Sequence, residues 1–149
     1  MKTWMILLAA FAAAPAFAKP AAAPTPVATP ARLPGLVFAL STGLEDGMKM
    51  TTAFRQARVA LAEGAVDRST VVISGRAAVI FLPGFTLPAD LAAEMKSAKE
   101  AGVRVVVCEH SLGRFGIPTE HAATMAEVVP RAIVEIATLA AAGHEVLSF

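Results

Sequence analysis

Three runs of the chain, Leu36–Ser41 (LVFALS), Thr70–Ser74 (TVVIS) and Val103–Cys108 (VRVVVC), are apolar at nearly every position and rich in β-branched side chains. A strand with one wet face would alternate apolar and polar residues, so uninterrupted runs suit strands covered on both faces. The stretch after Leu36–Ser41 and the stretch after Leu82 are each long enough for a crossover helix, which needs about a dozen residues. These features predict an α/β fold: a mostly parallel central sheet with helices on both faces.

The remaining elements fill in that plan. Met50, Phe54, Ala57 and Leu61 recur at helical spacing within Met48–Glu63, with Lys49, Arg55, Arg58 and Glu63 left for the wet side and Gly64 as a stop. The paired Met48 and Met50 are read as helix-to-core packing, not soft-metal ligands. Ala77–Leu82 (AAVIFL) follows Thr70–Ser74 too closely for a parallel return and is expected to be strand-like or mixed. Leu87-Pro88 opens a second helix with Leu91, Met95 and Ala98 inward, and Ala101-Gly102 closes it. Val128-Val129 reads as a short strand ended by Pro130, after which Ile133, Ile136, Ala137, Leu139 and Ala140 line one face of a last helix. His144–Phe149 (HEVLSF) then alternates like an edge strand, with His144 read as a surface turn residue, for a total of about five strands.

The front end is of a different kind. Met1-Lys2-Thr3 carries one positive charge, Trp4–Ala14 is apolar, and Ala16-Phe17-Ala18 has the small-x-small form of a signal peptidase site. Residues 1–18 are read as a cleavable export signal. The run is interrupted by Pro15 and falls short of the ~20 residues of a spanning helix, which argues against stable membrane insertion. Residues 19–34 (KPAAAPTPVATPARLP) form a Pro/Ala-rich spacer with no apolar periodicity, and 35–149 form the single α/β domain. The expected location is the periplasm.

Loss of Lys2 with the signal would leave 12 basic and 12 acidic side chains, so no basic face for nucleic acid is implied. The single cysteine, Cys108, has no internal disulfide partner. It is either a small buried hydrophobe or a thiol that meets a partner thiol or a sulfur compound.

Cys108 ends the third apolar run and opens a short helical turn, where unpaired amide hydrogens favour the thiolate. Arg114 would add to that effect if it folds back, and Glu109 would oppose it. His110 lies near enough in sequence to hydrogen-bond the sulfur or move a proton, the alternative being an exposed loop histidine. Cys108, His110 and His121 lack metal-ligand spacing, Ser111 beside His110 is not a nucleophile elbow, and no cofactor is implied.

The segment VVVCEHSLGRFGI resembles the strand, cysteine, short Leu/Arg-containing helix and Gly-Ile of the DsrE/DsrF/TusD-like superfamily of sulfur-relay proteins. VVISGRAAVIFL upstream, EVVP and AAGHEVLSF downstream are similar to the family's elements in order and spacing, over about Gly35–Phe149. The resemblance implies a DsrE-like domain, often homo-oligomeric, whose cysteine carries persulfide sulfur. Cys108 matches the sulfur-accepting position, and Arg114 and Gly116 match the turn beyond it. Glu109-His110-Ser111 stands where the relay branch has small apolar residues, and His144 where an aromatic is frequent. The partners so implied are a thiol or persulfide-bearing protein or a small sulfur compound. The other reading left open is a non-catalytic binding or assembly domain with a structural Cys108.

Overall fold

In the computed structural model, residues 32–149 are described; the expected signal at 1–18 and nearly all of the 19–34 spacer lie outside them. Strands β1 (Leu36–Leu40), β2 (Ser69–Ile73), β3 (Arg104–Cys108), β4 (Glu127–Val129) and β5 (Glu145–Ser148) form one sheet in the order β4-β3-β2-β1-β5. Every neighbouring pair is parallel. All five residues of β2 are buried, which accounts for the unbroken apolarity of TVVI in the sequence. The expected α/β class, the interior place of VRVVVC and the edge place of the last strand are all present.

The order of strands decides where the helices lie. The chain steps from β1 to β4 in one direction, and right-handed crossovers then keep the connecting helices on a single face. These are α1 (Gly47–Ala62), α2 (Ala89–Glu100), α3 (Glu109–Arg114) and α4 (Thr119–Ala122). Their Phe54, Leu91, Leu112 and Ala122 pack with Phe38, Val71 and Val107 of the sheet in the larger core. The last crossover returns from β4 over the other face to place β5 beside β1. Among the described residues that face is covered by α5 (Ala132–Ala141) alone, with Ala132, Ile136 and Leu139 over Val37, Val72, Val106 and Cys108.

Met48, expected to pack into the core with Met50, is 81% exposed while Met50 is buried, and three further local expectations change. Ala77–Leu82 is not strand-like: Gly75–Phe81 is a 3-10 helix. Gly75 leaves β2 at φ +54°, a conformation that L side chains rarely adopt, and turns the chain into a three-residue period. Ala77 with Ile80 and Ala78 with Phe81 are then buried in pairs, so the run has no polar position to betray its period. On α5 the inward positions are 132, 136 and 139, so Ile133 is turned out of the expected face and is 71% exposed.

His144 is the third change. It is a buried residue rather than a surface turn, packed against Gly35, and its Nδ1 has no hydrogen-bond partner among the described residues. A Cβ on Gly35 would come within 2.5 Å of the ring Cε1. Gly35→Ala is therefore expected to lower stability by about 1–3 kcal/mol through overpacking. The loss should be largely absent when the same change is made on a His144→Ala background, as read in a denaturant-unfolding double-mutant cycle.

The first described residues are tied to the domain. Leu33 bridges to Val66, and Arg32 pairs with Asp67 at 2.8 Å and donates to the carbonyl of Val66. No helix among the described residues is long and apolar enough to cross a membrane.

Candidate functional site

Parallel strands deliver all their following helices to one edge of the sheet, the edge where open α/β folds place their ligands. Here β3 and β4 are neighbours, with Cys108 in register with Val129, so the helices that follow them start side by side. The sulfur of Cys108 lies between those two starts. Its side chain points to the α5 face because Val106 and Cys108 alternate with Val105 and Val107, which face the larger core.

Cys108 is 5% exposed, and its sulfur has polar partners despite its apolar walls. The amide of Ala132, first residue of α5, donates to Sγ at 3.4 Å, and the thiol has a long contact of 3.9 Å to the carbonyl of Pro130. Ser111 occupies the third position of α3, the place from which a side chain reaches back to the helix start. Its Oγ accepts from the amide of Gly75 at 2.9 Å, which leaves the hydroxyl proton free to point at the sulfur.

Two opposing effects act on the thiol. Burial pushes its pKa up. The amide of Ala132, the amide and hydroxyl of Ser111 and the amide of His110 favour the thiolate and together outweigh burial, so the thiol lies below its ordinary value. The arrangement can hold a negatively charged sulfur in a nearly enclosed place.

Residues 35–149 match the model of the DsrE/DsrF-like family. The chain belongs to that family. Solved structures similar to this DsrE/DsrF-like domain include BT1422 of Bacteroides thetaiotaomicron, a conserved protein of unknown function, at 14% identity and a TM-score of 0.62. The match covers 78% of this chain and 95% of that one. MTH1491 of Methanobacterium thermoautotrophicum, also of unknown function, matches at 17% identity and a TM-score of 0.61 over 77% and 98% of the two chains. The ychN protein of E. coli matches at 16% identity and 0.58 over 77% and 99%. At these identities the likeness is one of fold. No curated protein matches the sequence.

Within the DsrE/DsrF-like domain the other residues singled out from sequence are less close to the sulfur. His110 and Arg114 are four apart on the exposed side of α3, and neither side chain makes a hydrogen bond or ion pair among the described residues. His110 lines an open depression of about 300 Å³ together with Glu109, Pro130 and Arg131. Arg114 is at the far end of α3, before the turn that Gly116 makes at φ +63°. His121 lies in α4, and no three His, Cys, Asp or Glu side chains converge among the described residues.

Two partners of the sulfur, Ala132 and Ser111, were missed in sequence. Ala132 comes from the β4–α5 corner, and only strand pairing brings it to Cys108; Arg131 beside it lines the neighbouring depression. Ser111 could have been found, since it stands three residues after a cysteine at a helix start. A larger depression of about 410 Å³ lies between the starts of α1 and α2, lined by Met48, Thr51, Arg55 and Asp90 among others. It contains neither the thiol nor any residue around it, so size alone is a poor guide to the chemistry here.

The site is held together from the opposite edge of the sheet. Arg104 at the start of β3 binds both carboxylate oxygens of Glu127 in β4, at 2.6 and 2.8 Å, and also Glu135 of α5. One guanidinium thus fastens the strand that carries Cys108 to the strand and helix that flank its sulfur.

Proposed function

We propose that the protein is a periplasmic sulfur carrier in which the Cys108 thiolate takes up one sulfane sulfur as a persulfide and passes it to another thiol. The observation that carries this reading is the set of amide and hydroxyl donors aimed at Sγ, which a merely space-filling cysteine does not need. Membership of the DsrE/DsrF-like family supports a sulfur-relay role of this general kind.

The chemistry follows from a thiolate in that setting. Sγ attacks the outer sulfur of a donor, the donor's S–S bond breaks, and its remainder leaves with the electron pair. An acceptor thiolate later attacks the outer sulfur of the Cys108 persulfide, and Sγ leaves as thiolate. The donors that depress the thiol pKa make Sγ a better leaving group in this second step. His110, at the rim of the depression, is placed to exchange protons with an incoming thiol, and Arg114 is proposed as a surface contact for the partner.

Export rests on the amino-terminal signal pattern, and cell fractionation tests it. Self-association into a homo-oligomer is supported by Ile133 and Val134, 71% and 61% exposed on the outer side of α5. Sedimentation of the purified protein reads it directly.

Intact mass after exposure to polysulfide or thiosulfate tests the carrier role. Wild type is expected to gain the mass of one sulfur atom, reversibly with dithiothreitol, and Cys108→Ser to gain none. If a control thiol is labelled and Cys108 is not, the carrier reading is wrong. The second reading, an assembly domain with a structural cysteine, is favoured by the 5% exposure of Cys108 among Val37, Val72 and Val106. It expects wild type and Cys108→Ser to be equal in sulfur content and in assembly.

A further inference from the structure

The depression beside Cys108 has one wall that the sulfur chemistry above does not use. Arg131 precedes Ala132, the residue whose amide touches Sγ, and its exposed side chain lines the depression with His110, Glu109 and Pro130. Arg32, Arg55, Arg58, Arg76 and Arg104 are ion-paired, whereas the side chain of Arg131, like those of Arg68 and Arg114, makes no hydrogen bond or ion pair among the described residues. An extended backbone at Arg131, φ −143° and ψ 116°, turns the chain from β4 into α5 at this point. An exposed guanidinium therefore lines a depression formed by residues on either side of the buried Cys108.

Resting on the carrier reading, we propose that Arg131 selects a small anionic sulfur donor, of the thiosulfate class, by binding its sulfonate group as Sγ attacks the outer sulfur. The planar fork of donors on guanidinium matches the oxygens of a sulfonate. With thiosulfate the step is Cys108–S⁻ + S–SO₃²⁻ → Cys108–S–S⁻ + SO₃²⁻. One S–S bond forms, one breaks, and sulfite leaves with the electron pair; the charge is conserved. Arg131 faces the sulfonate in the reactant and the sulfite as it departs. The small volume of the depression, about 300 Å³, and the burial of Cys108, 5% exposed, favour a compact donor over a folded protein surface. Glu109 on the same wall opposes an anion, and its removal should act in the reverse sense.

The test uses three methanethiosulfonate reagents that differ in charge: neutral methyl, anionic sulfonatoethyl and cationic trimethylammonioethyl. Second-order rates of Cys108 modification are measured on the full chain by quenched intact mass. Arg131→Gln is expected to slow the anionic reagent roughly 3- to 10-fold relative to the neutral one and to speed the cationic one. Glu109→Gln should shift the ratio the other way. Dividing by the neutral rate removes any change in thiolate fraction or folding. Equal effects on all three reagents, or none, overturn the role of Arg131. Thiosulfate loading of wild type and Arg131→Gln completes the test: a matching loss of rate in the variant supports the proposal, and equal loading overturns it while the carrier reading stands. No Cys108-dependent sulfur in wild type from thiosulfate or polysulfide defeats the carrier reading itself, and the donor proposal with it.

Discussion

Replacing Ser111 with alanine is expected to slow alkylation of Cys108 by iodoacetamide about ten-fold at neutral pH. The nucleophile is the thiolate, and Ser111 contributes both its amide and its hydroxyl to that form. A hydrogen bond to a charged group is worth about 1.5–3 kcal/mol, so losing the hydroxyl should raise the thiol pKa. In wild type the midpoint of the rate against pH should lie below that of an ordinary cysteine, and in Ser111→Ala it should move upward. At a pH high enough to ionise both proteins the rates should converge. Coincident midpoints would remove Ser111 from the site.

The same change carries a structural cost. Without Oγ the amide of Gly75 loses the acceptor it has at 2.9 Å, a loss of about 1–3 kcal/mol. A further linkage runs through the sulfur. Because the folded thiol pKa is depressed, thiolate formation stabilises the fold above the unfolded value and that contribution disappears as pH falls through the folded value. Unfolding midpoints of wild type should therefore gain on those of Cys108→Ala as pH rises through this window.

The largest loss of stability is expected from Leu112→Ala. Leu112 is fully buried in the larger core, and its carbonyl accepts from the amides of Phe115 and Ile117, which end α3 and turn the chain toward α4. Truncation should cost about 2–5 kcal/mol, depending on how far the site collapses. A six-residue helix has almost no stability of its own, so its anchor decides whether it stays in place. The expected signature is a lower urea midpoint together with a raised thiol pKa, because displacement of α3 takes Ser111 and the His110 amide from the sulfur. A variant that loses stability with an unshifted thiol would show that α5 alone sets the acidity.

These two residues also mark how far the sequence could be read. Runs such as TVVIS and VRVVVC announce buried parallel strands because every position must face a covering layer, and Met50, Phe54 and Ala57 announce α1 by their spacing. Cys108 was legible as an end-of-strand thiol for the same reason. AAVIFL was not legible as a 3-10 helix, since a segment buried on all sides has no polar position from which to read a period. His144 was misread because its burial depends on a missing Cβ at Gly35, far back in the chain. Ser111 lay within reach as a local signal. Ala132 did not, because its approach to the sulfur is created by the pairing of β3 with β4 and leaves no local pattern.

The strand pairing that closes the sheet also sets an order of events. Among the described residues β5 has a single partner, β1, from which it is separated by almost the whole domain, and its four residues remain exposed. Bringing such distant segments together carries a large loop-closure entropy that few contacts offset at the moment of meeting. The β1–β2–β3 portion, with α1 and α2 between, is built from nearer neighbours. On this topology the carboxy-terminal strand docks late and its amides exchange first, while those of β2 remain protected until global unfolding.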